Sequence, residues 1–200
     1  MSDVVAFQTG DKVVYPAHGV GEVVGEEVQE VAGMALSVYV ITFEKDRMTL
    51  RVPVGRAEAT GLRALSSAKL VDKAIATLKG RARPGRGMWS RRAQEYETKI
   101  NSGDMIAIAE VVRDLHKNVD DPDRSYSERI IYESALSRLA GEMAAVDGSD
   151  LDEATAKLER VLKSRKPANS NEKDTAKEVD AEEDFDAAVM VDGEETFEAA

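Results

Sequence analysis

Short apolar runs of strand length, punctuated by glycine and proline, fill residues 1–65. Asp11 to Pro16 (DKVVYP) is a brief apolar run closed by proline, and His18-Gly19 with Gly21 marks a turn. Gly21 to Val31 (GEVVGEEVQEV) is strand-like and interrupted at Gly25, and Gly33 marks the next turn. Leu36 to Phe43 (LSVYVITF) is rich in the β-branched and aromatic residues that suit a pleated, half-buried surface. Glu44 to Arg47 reads as a polar hairpin tip. In Met48 to Val54, Met48, Leu50 and Val52 share one face while Thr49 and Arg51 share the other. Strands of this length joined by tight turns predict a small, strongly bent antiparallel β-barrel of Tudor or SH3 type.

After Gly61 the period lengthens. Leu70, Ala74 and Leu78 fall four apart behind a candidate Ser66 cap. Gly80 to Gly87 (GRARPGRG) places three glycines and a proline in eight residues and reads as a flexible linker, with a domain boundary in it or just before it. Beyond it the pattern is helical. Ser90 to Ile100 ends at Asn101-Ser102-Gly103; Asp104 caps a segment with Ile108, Val111, Val112 and Leu115 on one face. Asp120 to Asp123 is a loop. Ser127 is expected to cap a longer helix with Ile130, Ile131, Ala135, Leu136, Leu139 and Met143 inward, and Leu151 to Leu162 forms the last. Four such helices can share one core. The fold class is therefore α+β: residues 1–65 the β module, 66–87 a helix and Arg/Gly linker, 88–166 a compact all-helical domain, and 167–200 an unpatterned acidic tail expected to be disordered.

Charge changes the picture only once it is located. The chain carries −11, but Ala168 to Ala200 holds twelve Asp/Glu against two Lys, leaving −1 for the preceding 167 residues. Within those, Arg81, Arg83, Arg86, Arg91 and Arg92 follow one another with no acid between. Affinity for nucleic acid depends on the field at the contact, so the whole-chain sum does not exclude it. The chain has no cysteine, which rules out disulfides, thiolate zinc and a cysteine nucleophile. The opening MSDVVAFQTGDKVVYP lacks a basic segment and a long apolar run, so no signal peptide is expected, and no stretch approaches the ~18 apolar residues of a membrane helix. Phosphate-loop, dinucleotide, zinc-protease, hydrolase and deaminase motifs are all absent, and His18 and His116 fall in different predicted domains. No catalytic residue, metal site or cofactor is expected, and the chain is not expected to be an enzyme.

Trp89, the single tryptophan, sits at a predicted helix start between the Arg/Gly segment and Ser90-Arg91-Arg92. On composition alone it is a core anchor, since large aromatics usually pack inside. The alternative is an exposed wedge that enters a base step from the minor groove, with the arginines holding phosphates. Surface arginines are common and a basic linker serves solubility, yet five without an acid in so acidic a chain favour a contact. Arg129 is a second, lone basic candidate. Arg51 is either a solvated strand charge, the commoner case, or a partner contact beside an open sheet edge.

The fragments GDKVVYPAHGVGEV, TLRVPV, WSRR and NSGD…IAEVVRDL, in that order from about Phe7 to Leu162, resemble the CarD/CdnL family of bacterial transcription regulators. The resemblance implies a Tudor-like module, shared with transcription-repair coupling factors, that docks on the RNA polymerase β subunit through a strand edge. It implies a helical domain whose tryptophan wedges into the minor groove at the upstream edge of the bubble and stabilises the open complex. Carried over by motif, the wedge is Trp89 and the DNA-contacting residues are Arg91, Arg92 and Arg129, with Arg83 and Arg86 in the adjoining basic segment. Polymerase contact falls on Leu50, Arg51, Val52 and Pro53 of the TLRVPV strand. Gln29 stands where the family has a basic contact, a departure, and the acidic tail is another; screening of nonspecific DNA binding is the role expected for that tail.

The resulting expectation is a monomeric, non-enzymatic regulator in the cytoplasm, associated with the nucleoid through polymerase, without membrane contact. Three rivals stay open, one of them an enzyme of unknown class that would need a catalytic cluster the sequence does not show. A polymerase-independent DNA binder would hold free duplex tightly with a steep salt dependence. A repair-coupling accessory would share the docking module, but without a phosphate loop it could not be the motor.

Overall fold

The computed structural model describes residues 6–31, 33–85, 87–116 and 125–164. Arg86, the 120–123 loop and the acidic tail lie outside the described residues. The N-terminal strands are β1 (Lys12–Tyr15), β2 (Gly19–Val31), β3 (Met34–Phe43), β4 (Met48–Pro53) and β5 (Arg63–Ala64), with a 3-10 turn at Val54–Arg56. They form one antiparallel sheet in the order β4-β3-β2-β1-β5. Among the described residues the edge strands β4 and β5 do not pair, so the sheet is not closed, which corrects the expected barrel. The interruption read at Gly25 is a register shift between Val23 and Gly25, so Val24 is an extra residue and is exposed.

Alternation sorts the side chains. Val13, Val23, Tyr39, Ile41, Phe43 and Val52 belong to the sheet's own core, with Leu50 packed against it. Gly21 is required inside this core, because a Cβ there would come within 2.7 Å of the Phe43 ring. Residues paired across strands share a face. The rows Glu27–Val38–Pro53 and Gly25–Val40–Arg51, with Gln29–Leu36 beyond them, therefore line the opposite face.

Five helices follow: α1 (Ala68–Lys79), α2 (Trp89–Asn101), α3 (Met105–His116), α4 (Tyr126–Asp147) and α5 (Leu151–Lys163). All five contribute to a second core, α1 through Val71, Ala74 and Leu78. The chain thus passes from one core to the other between β5 and α1, ahead of the Arg/Gly segment. That segment does not run free of the helices, because the Arg83 amide donates to Asp114 Oδ1 on α3 at 2.9 Å. Two caps are corrected. Ser67, not Ser66, holds the N-cap position of α1, while the Ser66 amide bonds Glu142. Ser125, not Ser127, caps α4, its hydroxyl accepting from the Glu128 amide. Ile130, expected to face inward, is 45% exposed.

A set of cations fixes the sheet to the helices. Arg63 on β5 meets the Glu142 carboxylate on α4 with both terminal nitrogens, at 2.6 and 2.9 Å, and also donates to the Gly103 carbonyl after α2. Arg138 on α4 donates to the carbonyls of Pro16 and Ala17 in the β1–β2 turn. Lys45 in the β3–β4 turn reaches Ser137 at 2.7 Å. Pro16 sits against Gly103, whose φ of +70° completes the C-terminus of α2 and whose absent side chain admits the ring. The sheet and the helices belong to one compact unit.

Candidate functional site

Two surfaces carry the residues that the sequence singles out. The first lies where α2 and α4 begin. Trp89 is the first residue of α2, so its indole stands at a helix end, where it meets the start of α4. It is half-buried, leaning on the helical core, with its ring 6.4 Å from that of buried Tyr96. The indole Nε1 donates to Ser127 Oγ on α4 at 2.8 Å, and the Ser127 hydroxyl lies 2.9 Å from that of Ser125. Trp89 is therefore neither a fully enclosed core anchor nor a free ring: its inner part packs and the rest meets solvent. Burial raises the phenol of Tyr96 above its ordinary value, and the Asp114 carboxylate adds to the effect. The neutral phenol supports the ring from below.

The arginines divide by environment. Arg91 and Arg129 are exposed, each opposite a carboxylate one turn on in its own helix, Glu95 at 3.5 Å and Glu133 at 3.4 Å. Such exposed pairs are worth ~0–1 kcal/mol, so both guanidiniums exchange readily to a stronger anion such as phosphate. Arg92 differs. Its guanidinium carbon stands 5.4 Å from the centroid of the Trp89 ring, and its Nε is buried with no hydrogen-bond partner among the described residues. The Arg83 backbone is pinned at Asp114 while its side chain is exposed, as is that of Arg81. Arg86 lies outside the described residues. The reading of Trp89 with Arg91 thus lands on one helix end, Arg129 follows Ser127 on α4, and Arg92 turns toward the ring.

The second surface is the sheet face beside β4. This strand pairs only with β3, leaving its outer edge open among the described residues. Arg51 is half-exposed and meets Glu27 two strands away at 3.3 Å, above the row that holds Val40. Pro53 and Gln29 lie on the same face. Leu50 and Val52 turn to the core side, Val52 being 3% exposed, so any contact they make with a partner goes through the strand backbone. The hairpin of β2 and β3 extends past this face with Val28 and Met34 each 70% exposed.

Arg63, Glu142, Arg138, Pro16 and Gly103, which join these surfaces, did not stand out by residue type. Pro16 and Gly103 do lie inside the YPAHG and NSGD fragments, whose meeting in space is what those fragments encode. Ser127 was visible in the sequence, but as a cap.

The architecture is that of a class: an antiparallel sheet module clamped to a five-helix module, with charged and aromatic side chains presented at one helix end and along one sheet edge. The comparisons give the family. Residues 7–66 match the CarD-like/TRCF RID domain and residues 73–159 match the CarD C-terminal domain, and the chain belongs to the CarD family. The protein YdeB of Bacillus subtilis (strain 168), by its name a candidate transcription factor, is 29% identical over 143 residues, which cover 71% of this chain and 93% of that one. Family and relative together put the chain among CarD-like transcription factors. The solved N-terminal domain of CdnL from Myxococcus xanthus is 45% identical, covering 30% of this chain and 84% of that one, with a TM-score of 0.27. The 72-residue N-terminal domain of Myxococcus xanthus CarD is 39% identical, covering 32% and 89%, with a TM-score of 0.26. Among the described residues, no helix is long and apolar enough to cross a membrane.

Proposed function

We propose that the protein docks on the β subunit of RNA polymerase through the β4 edge and the Arg51 face, and stabilises the promoter open complex through Trp89. In this reading Trp89 enters the minor groove at the upstream edge of the bubble while Arg91 and Arg129, with Arg81 and Arg83 nearby, hold phosphates. Arg51, Pro53 and Gln29 provide the side-chain contacts to polymerase, and the backbone at Leu50 and Val52 provides the edge. The protein acts as a monomer, at the nucleoid, without a catalytic group or cofactor.

The observation that carries the reading is the placement of Trp89: a large ring at a helix end, partly exposed, with the Arg92 guanidinium over it and the exposed Arg91 in the same first turn. Insertion of an apolar wedge costs a few kcal/mol of unstacking, recovered through ring contacts worth ~1–3 kcal/mol per base and added phosphate contacts. A margin of ~1.4 kcal/mol changes the open-complex equilibrium tenfold. Docking on polymerase raises the local concentration of the wedge, so a weak DNA contact suffices.

The test separates the two surfaces. A promoter with 2-aminopurine at the upstream bubble edge, bound to polymerase, reports local unstacking by fluorescence. Wild type should raise the signal, Trp89→Ala should keep polymerase binding and lose the signal, and Arg51→Glu should lose both. Full signal with Trp89→Ala would overturn the wedge. Unchanged binding of the isolated β subunit by Arg51→Glu would overturn the docking face.

A further inference from the structure

We infer that Ser127, together with Arg92, is a positioning residue that holds the Trp89 indole ready for insertion, an inference that rests on the proposed role of Trp89. An exposed tryptophan at a helix end rotates about two side-chain torsions, and a ring that samples several orientations loses that freedom when it inserts. Here the freedom is already gone. The nitrogen edge of the ring is tied to α4 by the 2.8 Å bond from Nε1 to Ser127 Oγ. One face lies under the Arg92 guanidinium at 5.4 Å, and the ring's inner part leans on Tyr96 and the helical core. Tie, cover and floor come from two helices, and the part of the ring left in solvent is presented in one orientation.

The Ser127 hydroxyl is not occupied by capping, because Ser125 performs that task for α4. Ser125 instead sits 2.9 Å from Ser127 Oγ, close enough to orient that hydroxyl as an acceptor toward the indole. Arg92 acquires a role different from that of Arg91. With its Nε buried and its side chain only partly exposed, it supports the ring more than it reaches for phosphate. The pair also ties the start of α2 to the start of α4, which brings Trp89 and Arg129 onto one surface.

The single tryptophan makes the test direct, because the free protein has one indole N–H resonance and one tryptophan emission. Ser127→Ala should move the indole N–H resonance upfield, speed its exchange with water and broaden the rotamer distribution seen in the tryptophan lifetime. Ser127→Thr, which retains a hydroxyl, should restore all three. With polymerase and promoter, Ser127→Ala should shorten the open complex about two- to tenfold, the range one net hydrogen bond spans, and Ser127→Thr should recover most of the loss. Arg92→Lys, which keeps the charge but not the planar cover, should shorten it while leaving the indole resonance bonded.

Indole resonance and exchange that are the same in Ser127→Ala as in wild type would overturn the tie. A changed resonance with an unchanged open-complex lifetime, while Trp89→Ala shortens that lifetime, would overturn the positioning role. Should wild type itself fail to lengthen the open complex, the functional reading falls, and the indole measurements on the free protein still decide whether Ser127 fixes the ring.

Discussion

Glu142 is 3% exposed, whereas the side chain of its partner Arg63 is 32% exposed. Loss of the arginine leaves a buried carboxylate with the Ser66 amide as its remaining donor; loss of the carboxylate leaves a guanidinium that water reaches. Breaking a buried pair from the side that strands the charge is the more costly. Arg63→Ala should therefore destabilise the protein by about 3 kcal/mol and Glu142→Gln by about 1–2 kcal/mol, as read from urea unfolding midpoints at pH 7. The reverse order would show that the pair is better hydrated than its geometry implies. Gly103 carries a different constraint. Its φ is +70° and a Cβ would stand 3.2 Å from the Pro16 ring. Gly103→Ala should cost about 1–2 kcal/mol from the left-handed backbone alone, measured the same way.

At the scale of elements, β4 and α4 illustrate what periodicity delivers. The alternation of Met48 to Val54 predicts Leu50 and Val52 inside with Arg51 outside, and the sheet has that arrangement because a pleated strand leaves no other choice. The Arg51–Glu27 pair is half-exposed and contributes little to stability. Arg51→Glu should shift the unfolding midpoint by less than the equivalent of about 1 kcal/mol while removing polymerase binding, so that a binding defect is not a folding defect. On α4 the helix was legible but its first turn was not. Ser125 and Ser127 are equally good caps by type, and only the packing of Trp89 against α4 decides that the second one serves the indole. The ionic clamp was illegible for a related reason. Arg63 and Glu142 lie 79 positions apart, each an ordinary charge among many, and no local period links them. The opening of the barrel is illegible in the sequence because strand patterning fixes which residues pair, not whether the two edges meet.

For the whole molecule, the clamp is what turns two modest surfaces into one instrument. Arg63, Arg138 and Lys45 hold the sheet against α4, so a protein docked by its β4 edge carries Trp89 in a set orientation. A flexible tether raises local concentration, whereas a rigid one also fixes direction, which an inserting ring requires. Arg63→Ala, assayed at a temperature where it remains folded, should bind polymerase as wild type does yet stabilise open complexes several-fold less. Equal stabilisation would mean that the two modules act as beads on a string.

The most direct test of the account is the lifetime of open complexes formed by cognate RNA polymerase on a promoter that melts poorly, after competitor is added. Lifetimes are compared with no addition, wild type, Trp89→Ala and Arg51→Glu. The account predicts a lifetime lengthened about tenfold by wild type, equivalent to ~1.4 kcal/mol, and returned to near the unassisted value by either substitution. A wild-type protein that binds polymerase and leaves the lifetime unchanged, or a Trp89→Ala variant that lengthens it as fully as wild type does, would contradict it.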